Sequence, residues 1–97
     1  MGTYLRLTAA LRAVLTALLA ADSETWGLRL VIETGYPTGT IYPLLARLER
    51  GGFVRSYWAN GSERPGARRR LYSLTPTGRH WAAQRLGVLP HERTDAP

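Results

Sequence analysis

Residues 38 to 53 read TGTIYPLLARLERGGF. Ile41, Leu44, Leu45 and Leu48 stand at i, i+3, i+4 and i+7, the spacing of one buried helical stripe. Pro43 interrupts that stripe and a Gly51-Gly52 pair closes it. At 100° per residue Gly39, Pro43, Arg47 and Arg50 lie opposite the leucines, with Thr40 and Tyr42 flanking. With Thr40 as N-cap, Pro43 falls in the first turn, where a missing N–H costs nothing. The expected product is a helix over 38–50 with an apolar back, a stiffened start and a basic front.

Working outward, Leu11, Val14, Leu15, Leu18 and Leu19 repeat at i, i+3, i+4, i+7 and i+8 after Thr8, which is placed as an N-cap. WGLRLVIET then sets Leu28, Val31 and Ile32 at helical spacing, and Gly35 followed by Tyr36-Pro37 stops a second helix. After the opening stretch, FVRSYW (53–58) and RRRLYSLT (68–75) read as two strands around the turn-rich loop ANGSERPGA. Thr75-Pro76 caps and starts a last helix running to about Leu86.

The predicted fold is mainly α with a small β-hairpin, in the order α-α-α-β-β-α. That is the winged form of the helix-turn-helix, whose third helix enters the major groove while the hairpin reaches the flanking backbone. The predicted layout is one domain over 1–89, including a dimerisation helix at about 76–89, and a frayed tail over 90–97. Trp81, Arg85, Leu86 and Leu89 are the candidate dimerisation residues. Trp26 is read as core, and Tyr57, Trp58 and Tyr72 as packing between wing and helices.

Charge narrows the partner. Thirteen basic residues against seven acidic ones give +6, and every basic residue is arginine. Arginine is a planar, permanently charged fork suited to phosphates and guanine edges, although a high-GC codon bias also replaces lysine by arginine. From Arg55 to Arg79 six arginines face one acid, Glu63, so this segment carries +5 of the total. The candidate contacts with double-stranded DNA are Thr38, Gly39, Thr40, Tyr42, Pro43, Arg47 and Arg50 on the recognition helix 38–50. On the basic wing, 55–74, they are Arg64, Arg68, Arg69 and Arg70. Strand alternation sends Arg69 to the face opposite Arg68 and Arg70.

Other chemistries lack a basis in the residues. There is no cysteine, hence no disulfide framework or thiolate metal site, which fits a cytoplasmic chain. His80 and His91 have no partner at ligand spacing, so no metal or other cofactor is expected. No clustered carboxylates or nucleophile–base pair suggests an enzyme. The apolar run AVLTALLAA (13–21) falls short of the ~20 residues that span a bilayer, and its leucines occupy one face, so neither a membrane anchor nor a signal peptide is expected.

GTIYPLLARLERGGFVRSYW, followed by RPGARRRLYSLTPTGR, resembles the PadR-like transcriptional regulators over about residues 8 to 86. The shared features are a Gly-Thr-aliphatic-Tyr-Pro-Leu-Leu helix, an Arg-Leu-Glu segment, a glycine before the wing, an Arg-Pro wing and a Tyr-x-Leu-Thr-x-x-Gly run. The resemblance implies a homodimeric winged-helix repressor that binds an inverted-repeat operator. It also matches Thr40, Tyr42 and Pro43 to the start of the family's recognition helix, and Arg64 and Arg68 to its wing. Trp26-Gly27 departs from the usual Gly-Tyr pair, and the last helix is short, which leaves open the dimer geometry and any small-molecule effector. A second reading is a protein-interaction adaptor that turns the same basic face to an acidic partner.

Overall fold

The computed structural model describes residues 5–21, 23–59 and 69–87. Helices α1 (Ala9–Ala20), α2 (Gly27–Thr34) and α3 (Thr38–Arg50) precede strands β2 (Val54–Trp58) and β3 (Arg70–Leu74) and helix α4 (Pro76–Leu86). A two-residue strand, β1 (Thr25–Trp26), stands before α2. The sheet is antiparallel in the order β1-β3-β2, with Trp26 opposite Leu71 and Val54 opposite Leu74.

The helices begin and end for local reasons. The Thr8 hydroxyl accepts from the Leu11 amide at 3.1 Å, and the Thr75 hydroxyl accepts from Gly78 at 2.9 Å. Gly35 ends α2 at φ 80, a conformation that strains any residue with a Cβ. Helix α3 ends in a Schellman motif: Phe53 N–H reaches the Leu48 carbonyl at 2.9 Å, and Gly52 N–H, at φ 82, reaches that of Glu49 at 3.0 Å. The chain is thereby turned straight into β2.

The core joins Leu11, Val14, Leu15 and Leu18 of α1 to Leu30 of α2 and to Ile41, Leu45 and Leu48 of α3. Val54, Tyr72 and Leu74 seal it from the sheet and Ala82 from α4. Each fully buried leucine or isoleucine contributes about 1.5–3 kcal/mol of transfer free energy. The same stripe that buries α3 therefore fixes which of its sides faces out.

Three expectations are corrected. Trp26 is not core: it lies half-buried on the outer face of the sheet, because pairing with β3 holds residues 25–26 extended and turns Thr25 inward instead. That pairing also sets the phase of α2. Its inner side is Gly27, Leu30, Val31 and Thr34, while Leu28 and Ile32 are 54% and 72% exposed. Finally, α3 spans the expected 38–50, but Thr40 is not its N-cap. Pro37 is the N-cap, and Thr40 donates its amide to the Pro37 carbonyl at 2.9 Å, so Pro43 is the sixth helical residue.

Candidate nucleic-acid interface

A cap at Pro37 in place of Thr40 changes what the first turns of α3 offer. Pro37 provides no side-chain cap, so the Thr38 and Gly39 amides have neither an intrahelical nor a capping acceptor. Pro43 has no N–H to give the carbonyl of Gly39, an exposed residue. Thr38, Gly39, Tyr42, Pro43, Arg47 and Arg50 are all exposed and Thr40 is half-buried. A Cβ added at Gly39 would meet nothing within 4 Å, and Gly39 is not among the glycines with positive φ. Nothing inside the chain demands glycine there. The positive end of the helix dipole, free amides and an unobstructed backbone together suit close approach by an anion.

Tyr42 is placed by its neighbours. A Cβ on Gly27 would lie 2.4 Å from its ring, so glycine at the start of α2 is what lets the ring lie flat against that helix. Tyr42, Trp26, Gly27, Tyr72, Arg69 and Arg70 line a groove of about 200 Å³ between α3 and the wing. Tyr72 sits at its base. Burial chiefly raises the Tyr72 pKa, with Arg70 opposing and the charge of Glu49 adding to the rise, so its phenol is protonated at neutral pH.

The wing arginines divide as alternation requires. Arg69 is exposed on the outer side with its guanidinium 4.5 Å from the Trp26 ring centroid, while Arg29 of α2 approaches the same ring at 5.5 Å. Arg70 turns the other way, 5.0 Å over Trp58 and 4.0 Å from the Glu49 carboxylate of α3. Glu49 also accepts from the Ser56 hydroxyl of β2 at 2.7 Å. Arg64 and Arg68 lie outside the described residues. Of the three aromatic residues expected to pack between wing and helices, Tyr72 is buried, whereas Tyr57 and Trp58 are 40% and 49% exposed. Tyr57 hydrogen-bonds Glu24, which chiefly raises its pKa.

Of the dimerisation candidates, Trp81 stacks on Phe53 at 4.0 Å with 12° between the rings. Arg85 donates to the Leu5 carbonyl at 2.6 Å and lies 5.6 Å from the Trp81 ring. Leu86 packs partly against the core, and Leu89 lies outside the described residues. Trp81 and Arg85 are thus engaged within their own chain.

Sequence reading missed Gly27, Arg29, Glu49 and Ser56. The Trp26-Gly27 pair was the visible signal for the first two. Glu49 and Ser56 carry no signal of their own, because their meeting depends on the turn at Gly52. Among the described residues no group of three or more His, Cys, Asp or Glu could hold a metal, and no helix is long and apolar enough to cross a membrane.

Three helices, the third exposed along one side, with an antiparallel wing beside it, define the winged helix-turn-helix class. The chain belongs to the transcriptional regulator PadR-like family, whose sequence model matches residues 18–84. Its fold is similar to that of the circadian clock associated protein Pex from Anabaena, with 29% identity, TM-score 0.64, and coverage of 89% of this chain and 78% of that one. A PadR family transcription regulator from Clostridium difficile R20291 is 23% identical with TM-score 0.63, covering 76% and 81% of the two chains. Bacillus subtilis PadR, solved in complex with operator DNA, is 19% identical with TM-score 0.64 over 89% of this chain. The match covers 49% of the Bacillus protein, so the chain spans about half its length. No curated protein matches the sequence.

Proposed function

We propose that this member of a transcription-regulator family is a sequence-specific double-stranded DNA-binding repressor, acting in the cytoplasm without a cofactor. Helix α3 lies in the major groove with Thr38, Gly39 and Thr40 leading. Tyr42, Pro43, Arg47 and Arg50 follow along the exposed side, and Arg64, Arg68 and Arg69 neutralise the flanking phosphates. The observation that carries this reading is the start of α3: uncapped amides beside a glycine that the fold itself does not need. The operator is an inverted repeat read by a homodimer. The dimer pairs through α4 and the residues after it, with Leu86 and Leu89 as its apolar contacts. The free faces of Trp81 and Arg85 border that surface.

Selection of bound duplexes from a random pool tests the proposal. The expected product is a palindromic sequence whose half-sites lie about one helical turn apart. Within it, Arg47→Ala alters the preference at particular base pairs, whereas Arg68→Ala weakens all duplexes alike. An unenriched pool contradicts sequence specificity. Binding to an acidic protein that duplex fails to displace would favour the adaptor reading.

A further inference from the structure

Glu49 is the one acidic residue in α3, β2 and β3, and it stands inside a surface otherwise built of arginines. Facing a phosphate backbone, a carboxylate there is repulsive, so its contribution must come through another interaction. The contacts supply one. Its Oε2 accepts the Ser56 hydroxyl of β2 at 2.7 Å and stands 4.0 Å from Nη2 of Arg70 in β3. Ser56 and Arg70 lie on the helix-facing side of the two paired strands, and the Arg70 guanidinium is in turn 5.0 Å over Trp58 of β2. One carboxylate near the C-terminus of the recognition helix thus holds both strands of the wing.

We propose that Glu49 is a positioning residue that fixes the angle between α3 and the wing, with Ser56 and Arg70 as its levers. Arg70 thereby leaves the set of phosphate contacts and joins the support. The sequence pattern alone had placed it with Arg64, Arg68 and Arg69. The alternation along β3 turns it inward, and a guanidinium shared between a carboxylate and an indole is already occupied. The proposal rests on the DNA-binding reading above, because it concerns how two parts of that surface are held in register.

The test uses the full chain and two duplexes, the enriched sequence with its flanks and the same sequence trimmed of the flanking base pairs that the wing reaches. Charge alone predicts that Glu49→Ala, by removing an acid, binds DNA more tightly. Positioning predicts the opposite: about tenfold weaker binding to the flanked duplex and little change on the trimmed one. Glu49→Gln, which keeps an oxygen to accept from Ser56, recovers part of the loss, and Ser56→Ala added to Glu49→Ala costs nothing further. Tighter or unchanged binding by Glu49→Ala overturns the proposal, as does an equal loss on both duplexes. A readout without DNA separates this from the parent reading. In the free protein, Glu49→Ala accelerates amide exchange in β2 and β3 while leaving α1 and α4 unchanged. A wild-type chain that binds no duplex defeats the DNA reading. Exchange that is unaltered in β2 and β3 defeats the positioning role.

Discussion

Replacing Gly78 with alanine is expected to lower the unfolding free energy by about 3 kcal/mol and the melting temperature by roughly 12–24 °C, read by thermal and denaturant unfolding. Propensity alone predicts the reverse, since alanine is about 1 kcal/mol better than glycine within a helix. Packing decides the sign. A Cβ at Gly78 would lie 1.8 Å from the Phe53 carbonyl oxygen and 2.6 Å from its carbon. That carbonyl has no room to move: it accepts from the Thr75 amide at 2.9 Å, and the Phe53 amide is held by Leu48 at 2.9 Å. The Thr75 hydroxyl adds a bond to the neighbouring Gly52 carbonyl at 2.8 Å. The start of α4 must therefore lift away from the turn that joins α3 to the wing, and the Phe53–Trp81 stack is lost with it. Thr77→Ala, at an exposed position in the same turn, should change stability by no more than about 0.5 kcal/mol. A Gly78→Ala protein that melts at or above the wild-type temperature would contradict this account of the junction.

The second large effect concerns salt. In the proposed complex Arg50 on α3, with Arg64, Arg68 and Arg69 on the wing, gives about four phosphate contacts and a slope of about −3.6 for log K against log salt. Raising salt from about 50 to 200 mM should then weaken DNA binding by about 150-fold. Replacing both Arg50 and Arg69 with alanine should flatten the slope by about two. The surface carries the excess needed, with net +6 in the chain and five of those charges between residues 55 and 79. A slope near zero in a titration followed by fluorescence anisotropy would exclude a phosphate-contacting surface.

Most of the architecture was legible because it rests on short-range rules. Leucine spacing, Thr8 and Thr75 as caps, Pro76 at a helix start and the Gly51-Gly52 stop act within one or two turns, and the elements they imply are present. What was not legible depends on partners distant in sequence. Trp26 pairs with Leu71, and that pairing rotates α2 so that Leu30 is buried and Ile32 is exposed. Tyr42 takes its place from Gly27, and the partners of Glu49 come from two strands beyond the turn. A helical wheel puts Trp81 and Arg85 on one side but does not reveal their contacts with Phe53 and Leu5 within the chain. For the recognition helix the exposed side was correctly read from periodicity. Its bounds, 38–50, were read correctly, but its N-cap was placed three residues late, because threonine is the commoner cap and Pro37 took the role instead.

Gly39→Ala tests the central claim most directly. Its Cβ enters open space at the second position of a helix, so the variant should be more stable by about 0.5–1 kcal/mol. Its affinity for the selected duplex should fall by about tenfold, because in the proposed complex the methyl group stands where the backbone of α3 approaches DNA. A stabilised protein with weakened binding is the predicted pair of results. A Gly39→Ala protein that binds the duplex as tightly as the wild type would contradict the placement of this helix start against DNA.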